Sequence, residues 1–381
     1  MTPDEWLYQL LDIMTERDAS DLLISVKAPP TLKTAGQFTQ LGRTGLSVEQ
    51  VTMLVDAAIP EKLKSRFAGE GEANFALSVE NRGRFRVSAF KQRNQPAMVV
   101  RRIALDIPRM EALSLPPALG ELVNLKRGLI FVVGAAGTGK STTLASMIQH
   151  RNDTRGGHII SIEDPIEYIH PHRRAIINQR EVGIDTKSFE VALKNTLRQA
   201  PDVILIGEVR TRETMEHALT FAETGHLCLA TLHANNANQA LDRIISFFSR
   251  DEQDKIWLSL SLNLRAIVAQ QLLPATEGER VPAFEIMLRS PLVSDLVRKG
   301  DIAEIKNVMA RSQDLGMQTF DQALYALYRE GRISEDAALA HADSANDLRM
   351  MIRFGDEDAE GLADAVQAAS HLSLRREDGD V

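Results

Sequence analysis

Residues 134–141 read GAAGTGKS, a Gly-x-x-x-x-Gly-Lys-Ser spacing. Its glycines at 134, 137 and 139 free the backbone to turn N–H groups inward around an oxyanion. The apolar run GLIFVV leads into it and the helix-like STTLASMIQH follows, so the positive end of a helix falls on the same anion. In such a loop Lys140 reaches the β- and γ-phosphates of a nucleotide, and Ser141 offers its hydroxyl to the magnesium ion that bridges them. Gly134, Ala135, Ala136, Gly137, Thr138, Gly139, Lys140, Ser141 and Thr142 are together the candidate for holding ATP.

A phosphate loop needs acidic company before it hydrolyses anything: one group for the metal and one to orient water. Glu208 closes the buried run PDVILIGE, and Glu163 and Asp164 end the run HIISIED at the same edge; either of these two candidates can be the group that orients water. Asp164 and Glu167 read equally well as an ordinary solvated turn. His226 and His233 flank LCLATL at opposite ends of one strand and cannot share a metal from it, so a zinc reading fails. Thr231 and His233 stand at the carboxyl end, placed to sense a γ-phosphate; His226 begins the strand, and nucleotide contact and a structural role both stay open for it. His170 and His172 in IHPHRR lack a third ligand and read as loop. Earlier in the chain Arg82, Arg84, Arg86, Arg93, Arg101 and Arg102 gather around two strand-like segments, with Arg84 and Arg86 on one face at period two. They are either a solvated sheet face or guanidiniums that reach a phosphate, possible in trans from another subunit. No aromatic ladder interleaves them, which disfavours single-stranded nucleic acid.

The elements that must position these groups alternate buried strands with helices: GLIFVVG, HIISIED, PDVILIGE and HLCLATLH, each followed by a helical stretch. That pattern predicts an α/β fold on a parallel sheet, with ligands at the carboxyl ends of its strands. Before it, LLISVKAPP, NFALSV, GRFRVSAF and AMVVRRI, with one helix at 47–67, predict a small α+β domain over 1–105. A proline-marked linker covers 106–126, and the α/β domain runs over 127–354 with an inserted hairpin or loop at 165–184 and rising helical content after 236. Trp6, Leu7, Leu10, Leu11 and Met14 share one helical face and are read as packing on their own domain.

The chain has 381 residues, 44% hydrophobic and 25% charged, which excludes a disordered or collagenous protein and suits two domains. Forty-four basic against 52 acidic residues give a net charge of −8, so no global charge points to nucleic acid. The single cysteine, Cys228, excludes an intrachain disulfide and fits a reducing compartment. The longest apolar run falls well short of the roughly 18 to 20 residues a spanning helix needs, and the acidic N-terminus does not suit a signal peptide, so a cytoplasmic protein without a transmembrane segment is expected.

GAAGTGKS, IEDPIEY, LRQAPDVILIGEVR and ETGHLCLATLHANNA resemble the Walker A, Asp-box, Walker B and His-box motifs of the secretion-type hexameric ATPases, specifically the type IV pilus retraction ATPases of the PilT/PilU family. SDLLISVKAPP and GRFRVSAFKQRN resemble that family's PAS-like N-terminal domain, and FRVSAF with HADSANDLR looks like the PilU branch; the likeness spans about residues 5–350. The resemblance implies a RecA-like P-loop ATPase domain behind a PAS-like domain, assembled as a homo-hexamer. It implies ATP and magnesium at Lys140 and Ser141, water orientation at Glu163, metal support at Glu208, and Arg84 or Arg86 presented to a nucleotide at a subunit boundary. His226 and His233 fall on its His-box positions. The implied function is an ATP-hydrolysing motor that drives or assists pilus retraction, peripheral at the inner membrane. Its implied partners are a PilT-like ATPase and an inner-membrane platform protein. One departure stands out: PLVSDLVRKG at 291–300 occupies the place of the family's AIRNLIRE-like segment, which opens a second reading, a docking subunit needing little turnover of its own. An assembly or type II secretion ATPase shares the core motifs, but the four-cysteine zinc insert usual there cannot come from a chain with one cysteine.

The residues from 355 onward, GDEDAEGLADAVQAASHLSLRREDGDV, carry eight acidic and two basic residues and no aromatic, so a mobile tail is expected. Deleting 356–381 is predicted to leave the melting temperature of the purified protein unchanged; a lowered value would contradict this.

Overall fold

The computed structural model describes residues 2–34, 36–80, 82–103, 106–278 and 280–355. The tail over 356–381 lies outside them, as do residues 104 and 105 at the expected boundary. Two compact units emerge. One consists of Met1–Ile107, Asp164–Pro171 and Gln179–Ser188; the other of Pro108–Glu163, His172–Asn178 and the described part of Phe189–Val381.

In the first unit the helix Pro3–Glu16 starts from a Thr2 capping box reciprocated by Glu5, with proline at its first position. Its apolar face, Leu7, Leu10, Leu11 and Met14, is buried, at about 1.5–3 kcal/mol for each large side chain removed from water. The sheet it shares a core with comprises β1 (Asp21–Ser25), β2 (Thr31–Thr34), β3 (Gln37–Gln40), β4 (Glu72–Val79), β5 (Gly83–Gln92) and β6 (Gln95–Ile103), in the order β3-β2-β1-β6-β5-β4 and antiparallel throughout. Alternation along β5 turns Phe85, Val87 and Ala89 inward and leaves Arg84 and Arg86 on the other face. The single helix expected over 47–67 is two, Val48–Ala58 and Glu61–Glu70, because Ile59 and Pro60 adopt extended backbone between them.

The second unit is built on β7 (Gly128–Val133), β8 (Gly157–Glu163), β9 (Ala175–Glu181), β10 (Val203–Ile206), β11 (Leu227–Leu232), β12 (Leu264–Pro274) and β13 (Arg280–Leu288), ordered β13-β12-β7-β11-β10-β8-β9. Strands β12, β7, β11, β10 and β8 run parallel and β13 turns back along β12. Every residue of β7, β10 and β11 is buried, as a sheet covered on both faces requires. The rise in helix expected after 236 is interrupted by β12 and β13, whose apolar runs are long enough to pass for helix but are strand-paired over nine positions. The inserted hairpin or loop expected at 165–184 is a turn, with a cis Asp164–Pro165 peptide, followed by β9. Residues 164–171 and 179–188 join the first unit rather than the second.

Within the first unit His170 is 8% exposed, and its Nδ1 has no hydrogen-bond partner. Burial pushes its imidazole down to about 4, so the folded protein holds it neutral. Between about 6.5 and about 4 the unfolded chain binds a proton there that the native chain does not, and stability falls as pH falls through that window. His170→Gln is predicted to flatten the acid side of the stability profile by up to about 3 kcal/mol, read from urea midpoints between pH 7 and pH 4; an unchanged slope would refute it.

Candidate functional site

The phosphate loop leaves β7 at Gly134 and enters the helix Lys140–Thr154 at Gly139. Gly134 has φ +153°, and a Cβ there would sit 2.5 Å from the backbone oxygen of Gln270 on β12. Gly139, at φ +88°, caps the helix without any side-chain hydrogen bond, and a Cβ on it would meet the Gln270 amide at 3.0 Å. The cradle therefore lies directly on β12 and can be lined only by backbone at these two points, which suits a polyanion held by N–H groups. Gln270, itself 3% exposed, is fixed by the Thr143 hydroxyl, which donates to its Oε1 at 2.7 Å. Lys140 donates to the carbonyls of Gly134 (2.9 Å) and Ala135 (2.7 Å), and the Thr138 hydroxyl donates to Ala135 (3.0 Å). Burial lowers the Lys140 amine from its ordinary value, and the charge of Glu208 works against that shift.

The two glutamates meet at the carboxyl edge of the sheet. Gly207, at the end of β10, donates to the Ile162 carbonyl of β8 at 2.7 Å, and a Cβ on it would fall 3.0 Å from the Glu163 Cα. The absent side chain is what lets the backbone at Gly207, just before Glu208, lie close against Glu163. Glu163 Oε1 accepts from the Ser161 hydroxyl at 2.6 Å. Both oxygens of Glu208 are engaged: Oε2 by Arg210 at 2.6 Å and Oε1 by His233 Nε2 at 2.9 Å. Thr231, one strand over on β11, donates its hydroxyl to the Gly207 carbonyl, and Val209 donates to the Thr231 carbonyl at 2.9 Å. The loop, Glu163, Glu208, Thr231 and His233 thus lie on elements that end at one edge.

His226 does not join them. It precedes β11 at the opposite end from His233, roughly 20 Å along an extended strand, and its Nδ1 is shared with the Thr224 hydroxyl (3.0 Å) and the Phe221 carbonyl (3.3 Å). Cys228 on β11 is wholly buried and its thiol is pushed up by burial, so it takes no part. Among the described residues no three His, Cys, Asp or Glu side chains are gathered to hold a metal ion. Ser141, in the first turn of the helix Lys140–Thr154, and Glu208 carry oxygen atoms of the kind magnesium prefers.

Arg84 and Arg86 belong to the first unit. There they flank Glu181, whose carboxylate is 3.9 Å from Arg84 Nη2 and whose carboxyl burial raises, the two guanidiniums opposing the rise. The Arg84 Nε is buried without a hydrogen-bond partner. A cavity of about 360 Å³ in this unit is lined by Arg66, Arg86, Asp164 and Glu181 among others. Asp164 therefore sits in the first unit while its neighbour Glu163 sits in the second.

Sequence reasoning missed Gln270, Arg210 and Glu181. A polar Gln-Gln pair inside the buried run LRAIVAQQLLP was the available signal for the first, and period two from Glu208 for the second. Glu181 lies in the segment taken as irregular and carried no signal.

The model of the family described as "Type II/IV secretion system protein" matches residues 52–320. The type IV pilus ATPase PilU of Pseudomonas aeruginosa is 58% identical over 374 residues, covering 98% of this chain and 97% of that protein. The type IV pilus retraction ATPase PilT of the same organism is 37% identical over 330 residues, covering 87% of this chain and 96% of that one. The crystal structure of the pilus retraction motor PilT with bound ADP superposes with a TM-score of 0.84 at 38% identity, over 90% of this chain and 99% of that one. With a phosphate cradle and paired acids at the edge of its α/β sheet, and with these likenesses along almost its whole length, the chain belongs to the type II/IV secretion system protein family.

Proposed function

We propose that this protein hydrolyses ATP at the carboxyl edge of its second sheet and spends the energy on retraction of a type IV pilus. The observation that carries the enzymatic part is the phosphate loop, with glycine at its two points of contact with β12, and Glu163 and Glu208 at the carboxyl ends of neighbouring strands at the same edge. Its use on a pilus follows from the near full-length likeness to PilU and PilT.

Backbone N–H groups of residues 134–142 and the helix end at Gly139 hold the phosphates, and Lys140 exchanges its contacts with the loop carbonyls for the β- and γ-phosphates. Magnesium, held by Ser141 with Glu208 in support, would neutralise charge that develops on the transferred group. Glu163 orients the attacking water. Glu208, locked between Arg210 and His233, links the metal side of the site to a histidine able to register the γ-phosphate. Arg84 or Arg86 supplies positive charge to a nucleotide from the first domain, in a homo-hexamer where that domain is PAS-like, spans residues 1–105 and is joined by the linker at 106–126. The protein works beside a PilT-like ATPase and a platform protein on the cytoplasmic face of the inner membrane.

A second reading is a docking subunit whose own turnover matters little. The helix Pro291–Lys299 favours it: Leu292 is 54% exposed on a segment whose sequence departs from the family's retraction element.

Lys140→Ala is predicted to lower ATP turnover by about 100-fold or more. Gly134→Ala, which must displace the β12 backbone, is predicted to weaken ATP binding at least about tenfold in a fluorescent-nucleotide titration. Unchanged turnover or affinity would refute the assigned site. In cells, sheared surface pilin and twitching scored in a deletion strain and in a Lys140→Ala strain decide the direction. Normal or raised pilin with impaired movement is the expected result, and bald cells would mean assembly instead. Full movement in the Lys140→Ala strain alone would favour the docking subunit.

A further inference from the structure

Glu285 on β13 is 3% exposed and lies outside the site described above. Its Oε1 accepts from the backbone N–H of Ala237 at 2.7 Å. Ala237 is the first residue of the helix Ala237–Ser246, so this carboxylate answers an unpaired N–H of that helix start, and the N–H of Phe320, first residue of the helix Phe320–Arg329, favours its charged form. Burial pushes this carboxyl up to about 7, against the pull of the Ala237 and Phe320 N–H groups and of Lys306, with Asp343 adding to the rise. A position so costly for an acid calls for a contact that an apolar residue could not make.

The first of those helices begins four residues after His233. Its other caps are local: Asn236 accepts from the Gln239 N–H at 2.9 Å, and Gln239 Oε1 accepts from the Asn235 N–H at 3.2 Å. They tie the loop to its own helix, whereas Glu285 ties it to another strand. The second helix belongs to a charged assembly in which Lys306 bridges Asp321 (3.6 Å) and Asp343 (3.0 Å), and Asp321 accepts from the Asp343 N–H at 2.8 Å. Ile286, next to Glu285, also exchanges two backbone hydrogen bonds with Gln318, just before that helix. A shift of the C-terminal helices is therefore felt at Glu285 and, through Ala237, at the loop that carries His233 to Glu208.

We propose that Glu285 is a positioning residue for the hydrolytic site, joining the C-terminal helices to the His233 loop so that their arrangement sets His233 against Glu208. This rests on the reading of His233 as part of that site, which His233→Ala tests by itself. Glu285→Gln keeps size and one acceptor oxygen but removes the charge and replaces the other oxygen with an amide donor. In the full-length protein it is expected to lower kcat for ATP about tenfold with KM within about twofold, because it disturbs alignment and not the phosphate cradle. In a His233→Ala background the same change is expected to alter kcat by less than about twofold, since residues acting through one another are not additive. Equal losses in both backgrounds, or a kcat for Glu285→Gln near wild type, would overturn the proposal while leaving the reading of His233 intact. Unchanged turnover in His233→Ala would overturn both. If Glu285→Gln does not fold, Ala237→Pro removes the donor and leaves Glu285 in place. Proline is accepted at a first helical position, and Asn236 before it is already extended at φ −148° and ψ 178°. The same split between kcat and KM is expected of it, and wild-type kinetics would again overturn the proposal.

Discussion

A loop that binds phosphate through its backbone must have nothing in front of that backbone. At Gly134 the space a side chain would use is taken by the Gln270 carbonyl at 2.5 Å, and at Gly139 by the Gln270 amide at 3.0 Å. The cradle thus depends on β12 lying beside β7 in parallel register, with Val133 opposite Ala269. That pairing in turn depends on the run Leu264–Pro274 being a strand, and Thr143 fixes the Gln270 side chain that faces the loop from it. Close backbone approach couples the loop to the C-terminal half of the chain more tightly than any side chain could, because a carbonyl on a paired strand cannot rotate away.

The same economy recurs at the acids. Gly207 lets the end of β10 lie close against Glu163 on β8, and both oxygens of Glu208 are held, by Arg210 and by His233. A carboxylate at 18% side-chain exposure is costly to leave unpaired, and these two partners meet that cost. Glu181 in the first unit shows the opposite balance: burial raises its carboxyl despite two nearby arginines, because neither guanidinium closes to a short ion pair.

Much of this was legible in the residues. The loop could be read because a glycine, lysine and serine spacing has a direct backbone meaning, and the parallel strands because runs such as GLIFVV are apolar at every position. Glu208 was visible as a charge closing such a run. What the sequence hid has physical reasons. β12 and β13 are as apolar as a buried helix, and periodicity cannot separate the two when both faces are covered. β2 and β3 are four residues each, too short for alternation to declare itself. Gln270 and Glu285 act through contacts far along the chain, which no local pattern encodes. His226 and His233, by contrast, could be told apart in the sequence, because His233 follows LCLATL at its carboxyl end and His226 precedes it, roughly 20 Å away along the strand.

The path of the backbone between the two units has a consequence for how this protein can be made and dissected. The chain passes from one unit to the other after residues 107, 163, 171, 178 and 188. The first unit therefore holds residues up to 187 positions apart in sequence, from residue 1 to Ser188, and during synthesis it cannot be completed until Ser188 has left the ribosome. A fragment ending near residue 107 would lack Glu181 and the segment around it, and would leave Arg84 without its buried counter-charge. A recombinant piece cut at the proline-rich joint would keep all six strands of its sheet but would lack residues 164–171 and 179–188, which belong to the same compact unit.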